Sequence, residues 1–254
     1  MRKAPHLDTQ RGAALFIILI AVALFAALGY AVSQSGRGSG SVDREKAQLR
    51  AARLIQQGTM METTIIRLQL FNKCSSMQIS FENPLATGYT NALSPTDKSC
   101  NVFASAGGGQ NYVQSNPEDI DQSYAGEGST LKAGPVFVQQ WATGRDDGAS
   151  GLGPTDSWCG TAPYCADFLM IIPAVKRDIC LEINSRLGIS TVSGDAPPQL
   201  WACGLTAKEW NGTNPVGCKW TFNTNEVKSF PTGCVKGVGT MAGGYFFYHL
   251  ILGQ

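Results

Sequence analysis

Residues Gly12 to Ser33 read GAALFIILIAVALFAALGYAVS, and what this stretch can be decides how the rest of the chain is arranged. From Ala13 to Ser33 there are 21 consecutive residues without a charge. As a helix they would extend about 31 Å, the hydrocarbon thickness of a bilayer and more than a soluble core helix needs. A short polar leader, MRKAPHLDTQRG, precedes the run and carries Arg2, Lys3 and Arg11. Basic residues set directly against an apolar run form a targeting segment. Three outcomes stay open. A cut after Gly12 would leave the apolar helix on a chain beginning at Ala13. Ordinary signal peptidase at Ala31-Val32-Ser33 would release a chain beginning near Gln34. No cut at all would leave a permanent single-pass anchor.

The other compositional features bear on the compartment. The chain has 254 residues and a formal charge of +1, so no strongly basic surface marks it as a nucleic-acid binder. All eight cysteines, Cys74, Cys100, Cys159, Cys165, Cys180, Cys203, Cys218 and Cys234, follow the apolar run. An even number in a Gly- and Asn-rich domain reads as disulfides formed in an oxidising compartment. Short loops close at least entropic cost, which favours the sequence-adjacent pairs 74 with 100, 159 with 165, 180 with 203, and 218 with 234. Arginines and lysines after the run outnumber those before it. A long C-terminal domain translocates largely regardless of that count, so the domain is placed outside the cytosol.

Four segments follow: a leader at 1–12, a transmembrane or assembly helix at 13–34, a Gly/Ser joint at 35–41 and a single exported unit at 42–254. The joint, SGRGSGS, holds glycines 36, 38 and 40, each costing about 1 kcal/mol in a helix relative to alanine. From Val42 to about Asn72, Ala47, Ala51, Leu54, Gly58, Met61, Ile65 and Leu68 recur every three or four residues. That is an amphipathic helix, with Arg50, Arg53, Gln57, Thr64 and Arg67 outside its stripe. Further on, β-like runs at Met77–Phe81, Val136–Trp141, Phe168–Ile172, Trp220–Phe222 and Gly244–Leu252 alternate with turn residues. A later helix is expected over Pro173–Leu187, stopped by Gly188 and tied down through Cys180. The loops at Ala104–Gly109 and Gly144–Pro154 are expected to be exposed. The fold class is therefore α+β, with a long N-terminal helix packed on an antiparallel sheet in a disulfide-rich domain.

Chemistry-bearing patterns are sparse. His6 and His249 are the two histidines, and a core or strand-edge imidazole accounts for His249 better than a catalytic triad does. No CxxC or Cys/His cluster suggests zinc. Glu118, Asp119 and Asp121, and separately Asp146, Asp147 and Asp156, offer oxygen ligands for calcium, but neither cluster has EF-hand spacing and a solvated acidic loop is the commoner explanation of both. Asn211-Gly-Thr matches a glycosylation acceptor that matters only in a eukaryotic secretory route. Trp141, Trp158, Trp201, Trp210 and Trp220 could fill a core or anchor a partner. No cofactor or catalytic group is assigned.

A basic leader ending in Gly12, an apolar helix starting at once, a Gly-containing break, a second amphipathic helix and a Cys-bearing domain together resemble the type IV pilins and the pseudopilins of type II secretion. The resemblance covers about 60 N-terminal residues. It implies cleavage between Gly12 and Ala13 by a prepilin peptidase, methylation of the new amino terminus and residence in a bacterial inner membrane with the domain in the periplasm. It further implies packing of the apolar helix against other pilin-like subunits in a surface filament or secretion apparatus. The chain departs from the family where Ile17 stands fifth after the cut, in place of the glutamate of the main subunits, and where Ala13 replaces phenylalanine. Those departures resemble a tip or initiating subunit. A membrane-anchored or secreted binding protein, using the loops around Gly107 and Gly148, is the alternative of a different class, with an exported hydrolase third.

Overall fold

The structure is a computed structural model that describes the backbone of residues 10–35, 39–126, 128–143, 167–200, 209–212, 219–221, 226–227 and 230–252, and their side chains except at 10–15, 31–35, 39–41, 139–143, 167, 200 and 219–221. Two compact units divide the chain, Met1–Lys46 and Ala47–Gln254. The first contains helix α1 (Gln10–Ser35) and the opening turns of helix α2 (Ser39–Phe71). Helix α2 begins at Ser39, inside the stretch 35–41 expected as a Gly/Ser joint, while residues 36–38 lie outside the described residues. The strong helix formers of DREKAQLRAA that follow outweigh the cost of Gly40.

In the second unit the apolar stripe of α2 is buried as expected, from Ala47 and Ala51 through Leu54, Gly58 and Met61 to Ile65 and Leu68. Thr64, placed outside the stripe by its polarity, is buried too. Its hydroxyl donates to Met60 O at 2.8 Å, so the polar atom is satisfied within the helix. The helix ends at Phe71, and the Cys74–Cys100 disulfide fastens the chain that leaves it.

Six strands follow: β1 (Val136–Thr143), β2 (Asp167–Ile172), β3 (Pro198–Leu200), β4 (Lys219–Thr221), β5 (Thr232–Val238) and β6 (Tyr245–Leu252). Their order is β3-β5-β6-β2-β1-β4. The four inner strands are antiparallel, but β3 joins β5 and β4 joins β1 in parallel. The sheet is thus mixed, a correction to the antiparallel expectation: both additions are three-residue edge strands reached by long connections, which hairpins alone could not place. Met77–Phe81 forms no strand. Ser76–Gln78 is a 3-10 turn closed by reciprocal Ser75 and Gln78 bonds, and only Ser80 bridges to Asn101.

Helix α3 spans Arg177–Leu187 and ends on Gly188 at φ 74°, the left-handed stop expected there. Its start differs from the expected Pro173. Ala174 adopts φ 57°, turning the chain before the helix so that Val175 N–H donates to Tyr245 O and Lys176 N–H to Asp119 O. Cys180 does tie α3 down, but to Cys234 on β5. This replaces both the 180–203 and 218–234 pairs, because sheet formation brings residues 54 apart together, whatever the shorter loops would cost. Buried Asn184 completes the joint. Its Nδ2 donates to Cys234 O and its Oδ1 accepts from Cys234 N–H, both at 2.8 Å, serving β5 as a side-chain substitute for a neighbouring strand. Cys159, Cys165, Cys203 and Cys218 lie outside the described residues.

Candidate functional site

The side chains of Phe16–Tyr30 on α1 are all exposed, Ile17 among them at 65% and Phe25 at 76%. Fifteen consecutive residues at 100° each cover every direction around a helix, and none here is charged. Exposed apolar surface of this extent is unusual on a water-facing helix. Gly12 and Ala13 lie on the backbone of α1, which starts at Gln10; residues 1–9 are outside the described set. Among the described residues no helix is long and apolar enough to cross a membrane. The fifteen residues of α1 with described side chains reach about 22 Å, short of the roughly 30 Å of a hydrocarbon core.

In the second unit, α2 crosses one cross-strand row of the sheet. Thr232, His249, Met170 and Phe137 pair in succession across β5, β6, β2 and β1, so their side chains share a face. Gly58 meets that row at His249, where a Cβ would lie 2.5 Å from the ring Cγ. His249 is 4% exposed, on a central strand and not at an edge. Its Nε2 is 3.1 Å from Glu62 Oε2 and its Nδ1 2.5 Å from Thr232 Oγ1. With Nε2–H donated to the carboxylate, Nδ1 accepts from the hydroxyl, a complete set of partners for a neutral imidazole. Burial holds its pKa below the ordinary histidine value, and Glu62 pulls the other way. The group therefore fastens the helix to the sheet.

The first acidic cluster is likewise spent on anchoring. Glu118 pairs with Arg50, and Asp119, 1% exposed, pairs with Arg53 and, at 3.4 Å, with Arg50 Nε. Asp121 instead accepts from Ser123, and that bond lowers its pKa. No three described His, Cys, Asp or Glu residues are grouped to hold a metal. Asp146, Asp147 and Asp156 lie outside the described residues, as does the loop around Gly148.

The arginines on the polar face of α2, read from the sequence only as falling outside its stripe, thus hold the segment at 118–119. The Arg–carboxylate pairing across 66 to 69 residues left no local signal. The loop at Ala104–Gly109 is packed and not simply exposed. Gly108 is buried against Val102 O and Thr64 Cγ2, where a side chain would collide, and Arg67 donates to its carbonyl. Trp210 is a core residue whose Nε1–H donates to Ile79 O at 2.8 Å, edge-on to Phe168. The side chains of Trp141, Trp158, Trp201 and Trp220 fall outside the described set. Asn211 is exposed, but Thr213 of its glycosylation triplet is not described.

Compared with known protein families, curated proteins and solved structures, the chain gives no match.

Proposed function

We propose that the chain is a minor pilin- or pseudopilin-like structural subunit that sits at or near the end of a filament, or initiates it. The observation that carries this reading is α1, apolar and exposed on every side over Phe16–Tyr30, followed by a second helix that has its own sheet to pack on. Such a helix is stable in lipid, and it can leave the lipid only by exchanging it for the apolar helices of other subunits. In the sequence, the 21 uncharged residues from Ala13 to Ser33 would extend about 31 Å as a helix, which is what this reading asks of them.

Cleavage after Gly12 would make Ala13 the first residue and Ile17 the fifth. An amino-terminal charge inside a packed helical core needs an opposite charge. Ile17 supplies none to a neighbour, whereas the amine of Ala13 can still be met by another subunit's glutamate. An incomplete pairing of this kind suits an end position, and so does the bulk of a domain running from Ala47 to Gln254. Prepilin peptidase and other pilin-like subunits are the partners of this reading, and the inner membrane and periplasm its setting; no cofactor or catalytic step forms part of it.

Deletion of the gene should lower the number of filaments, or the secretion they drive, and labelling should place the protein at one filament end. Ile17→Glu should raise its incorporation. Uniform labelling along the shaft at near-stoichiometric abundance would contradict the proposal.

A further inference from the structure

A groove of about 370 Å³ runs between α2 and the segment 110–116, within the second unit. Leu54, Met60, Met61, Ile120 and Ile172 give it an apolar floor, while Gln57, Gln110, Gln114 and Asn116 supply an amide rim. Its size falls in the range of small-ligand sites. Among the described residues no aromatic side chain lines it, so these residues offer no stacking platform of the kind that holds a sugar or a base. The one charged pair on its wall, Arg53 with Asp119, is internally neutralised, so the groove calls for a neutral ligand.

The wall opposite α2 has main-chain groups to offer. Gln110 N–H donates to Val102 O at 3.1 Å and Ser115 N–H to Ala133 O at 2.9 Å, pinning the segment at both ends. Between these points, no main-chain N–H or C=O of residues 111–114 has a hydrogen bond among the described residues. Asn111, Val113 and Gln114 are exposed. Two further polar atoms on groove-lining residues, Ser115 Oγ and Asp119 Oδ1, are buried without a hydrogen bond, the latter with only the 3.4 Å ion-pair contact to Arg50. A buried acceptor left without a donor is unfavourable, and an incoming N–H can relieve it.

We propose that the groove binds an extended peptide segment of a partner protein, its main chain pairing with residues 111–114 and one aliphatic side chain entering between Met60 and Val113. Strand addition of this kind draws affinity from main-chain bonds and specificity from the side-chain pocket. The proposal stands apart from the filament reading, since it concerns the second unit alone and does not depend on how the leader is processed.

The test titrates the full-length protein in detergent with fluorescein-labelled hexapeptides, Leu, Ile or Val fixed at one central position among Ser, Thr, Gln and Asn, followed by fluorescence anisotropy. Saturable binding is expected. Met60→Glu and Val113→Glu, both at exposed positions, should each weaken it at least tenfold with an unchanged melting temperature. N-methylation of the peptide at its central residue should weaken it to a similar degree, a loss that a purely apolar pocket would not register. Absence of saturation at millimolar peptide, equal binding of a pool with central Gly, or displacement by a neutral oligosaccharide would each overturn the proposal. The last of these would make the groove a glycan site.

Discussion

An alanine methyl at Gly58 would stand 2.5 Å from Cγ and 2.9 Å from Cβ of His249, the inflexible root of that side chain. Substituting alanine for glycine within a helix ordinarily gains about 1 kcal/mol. Here overpacking should reverse the sign, and Gly58→Ala should lower the unfolding free energy by about 1–3 kcal/mol in denaturant titration. In a His249→Ala background the ring is gone and only the 2.9 Å approach to Cβ remains, so the same change should cost less than it does beside the intact histidine. Additive effects in that double-mutant cycle would show that the two residues do not touch. His249 also sets a pH dependence. Its folded pKa is lowered by burial, so the unfolded chain binds a proton at higher pH than the folded one. Stability is then fully present above about pH 7, and falls as pH drops through the unfolded value of about 6.5 toward the folded one. His249→Gln should flatten that fall when unfolding is measured between about pH 7.5 and 5.5, a window in which the only other histidine is His6 of the leader.

At the scale of elements, the joint between α3 and β5 makes the sharpest claim. The Cys180–Cys234 bridge spans a separation of 54 residues, and loop-closure entropy puts its contribution at about 4 kcal/mol. Peptide mapping without reduction should recover Cys180 linked to Cys234, while a peptide linking Cys180 to Cys203 would refute this topology. Asn184→Ala, which strips both partners from the buried main chain of Cys234, should cost about 2–4 kcal/mol with the disulfide intact. Nothing in the sequence announced this arrangement. Strand β5, TGCVKGV, has two glycines in seven residues and is not among the β-like runs of the sequence, yet it is an inner strand because β6 and Asn184 satisfy its backbone. Strand β3 was hidden in the same way by Pro197 and Pro198. The α2 stripe, by contrast, was legible residue by residue, since a helix's buried face follows from a local period. β1, β2 and β6 were legible too, each being rich in β-branched, aromatic or other apolar residues. Register, disulfide partners and the arginine–carboxylate pairs depend on contacts across dozens of residues, and periodicity does not encode those.

At the scale of the whole molecule, the second unit has its own core, built from α2, the sheet and the Phe81, Phe137, Phe168 and Trp210 rings. A chain shortened to begin at Ser39 should therefore express as a soluble protein and melt at the same temperature, within about 2–3 °C, as the full chain in detergent. The full chain should need that detergent because of Phe16–Tyr30. If removing α1 unfolded the domain, the division of labour between the two units would be wrong.

In the proposed reading, Gly12 and Ala13 mark the boundary between a leader and a helix that serves assembly. Intact-mass measurement of the protein extracted from its native membrane decides it. A chain that begins at Ala13 is expected, with Gly12→Ala leaving residues 1–12 attached; a chain that begins at Met1 or at Gln34 would overturn the proposal.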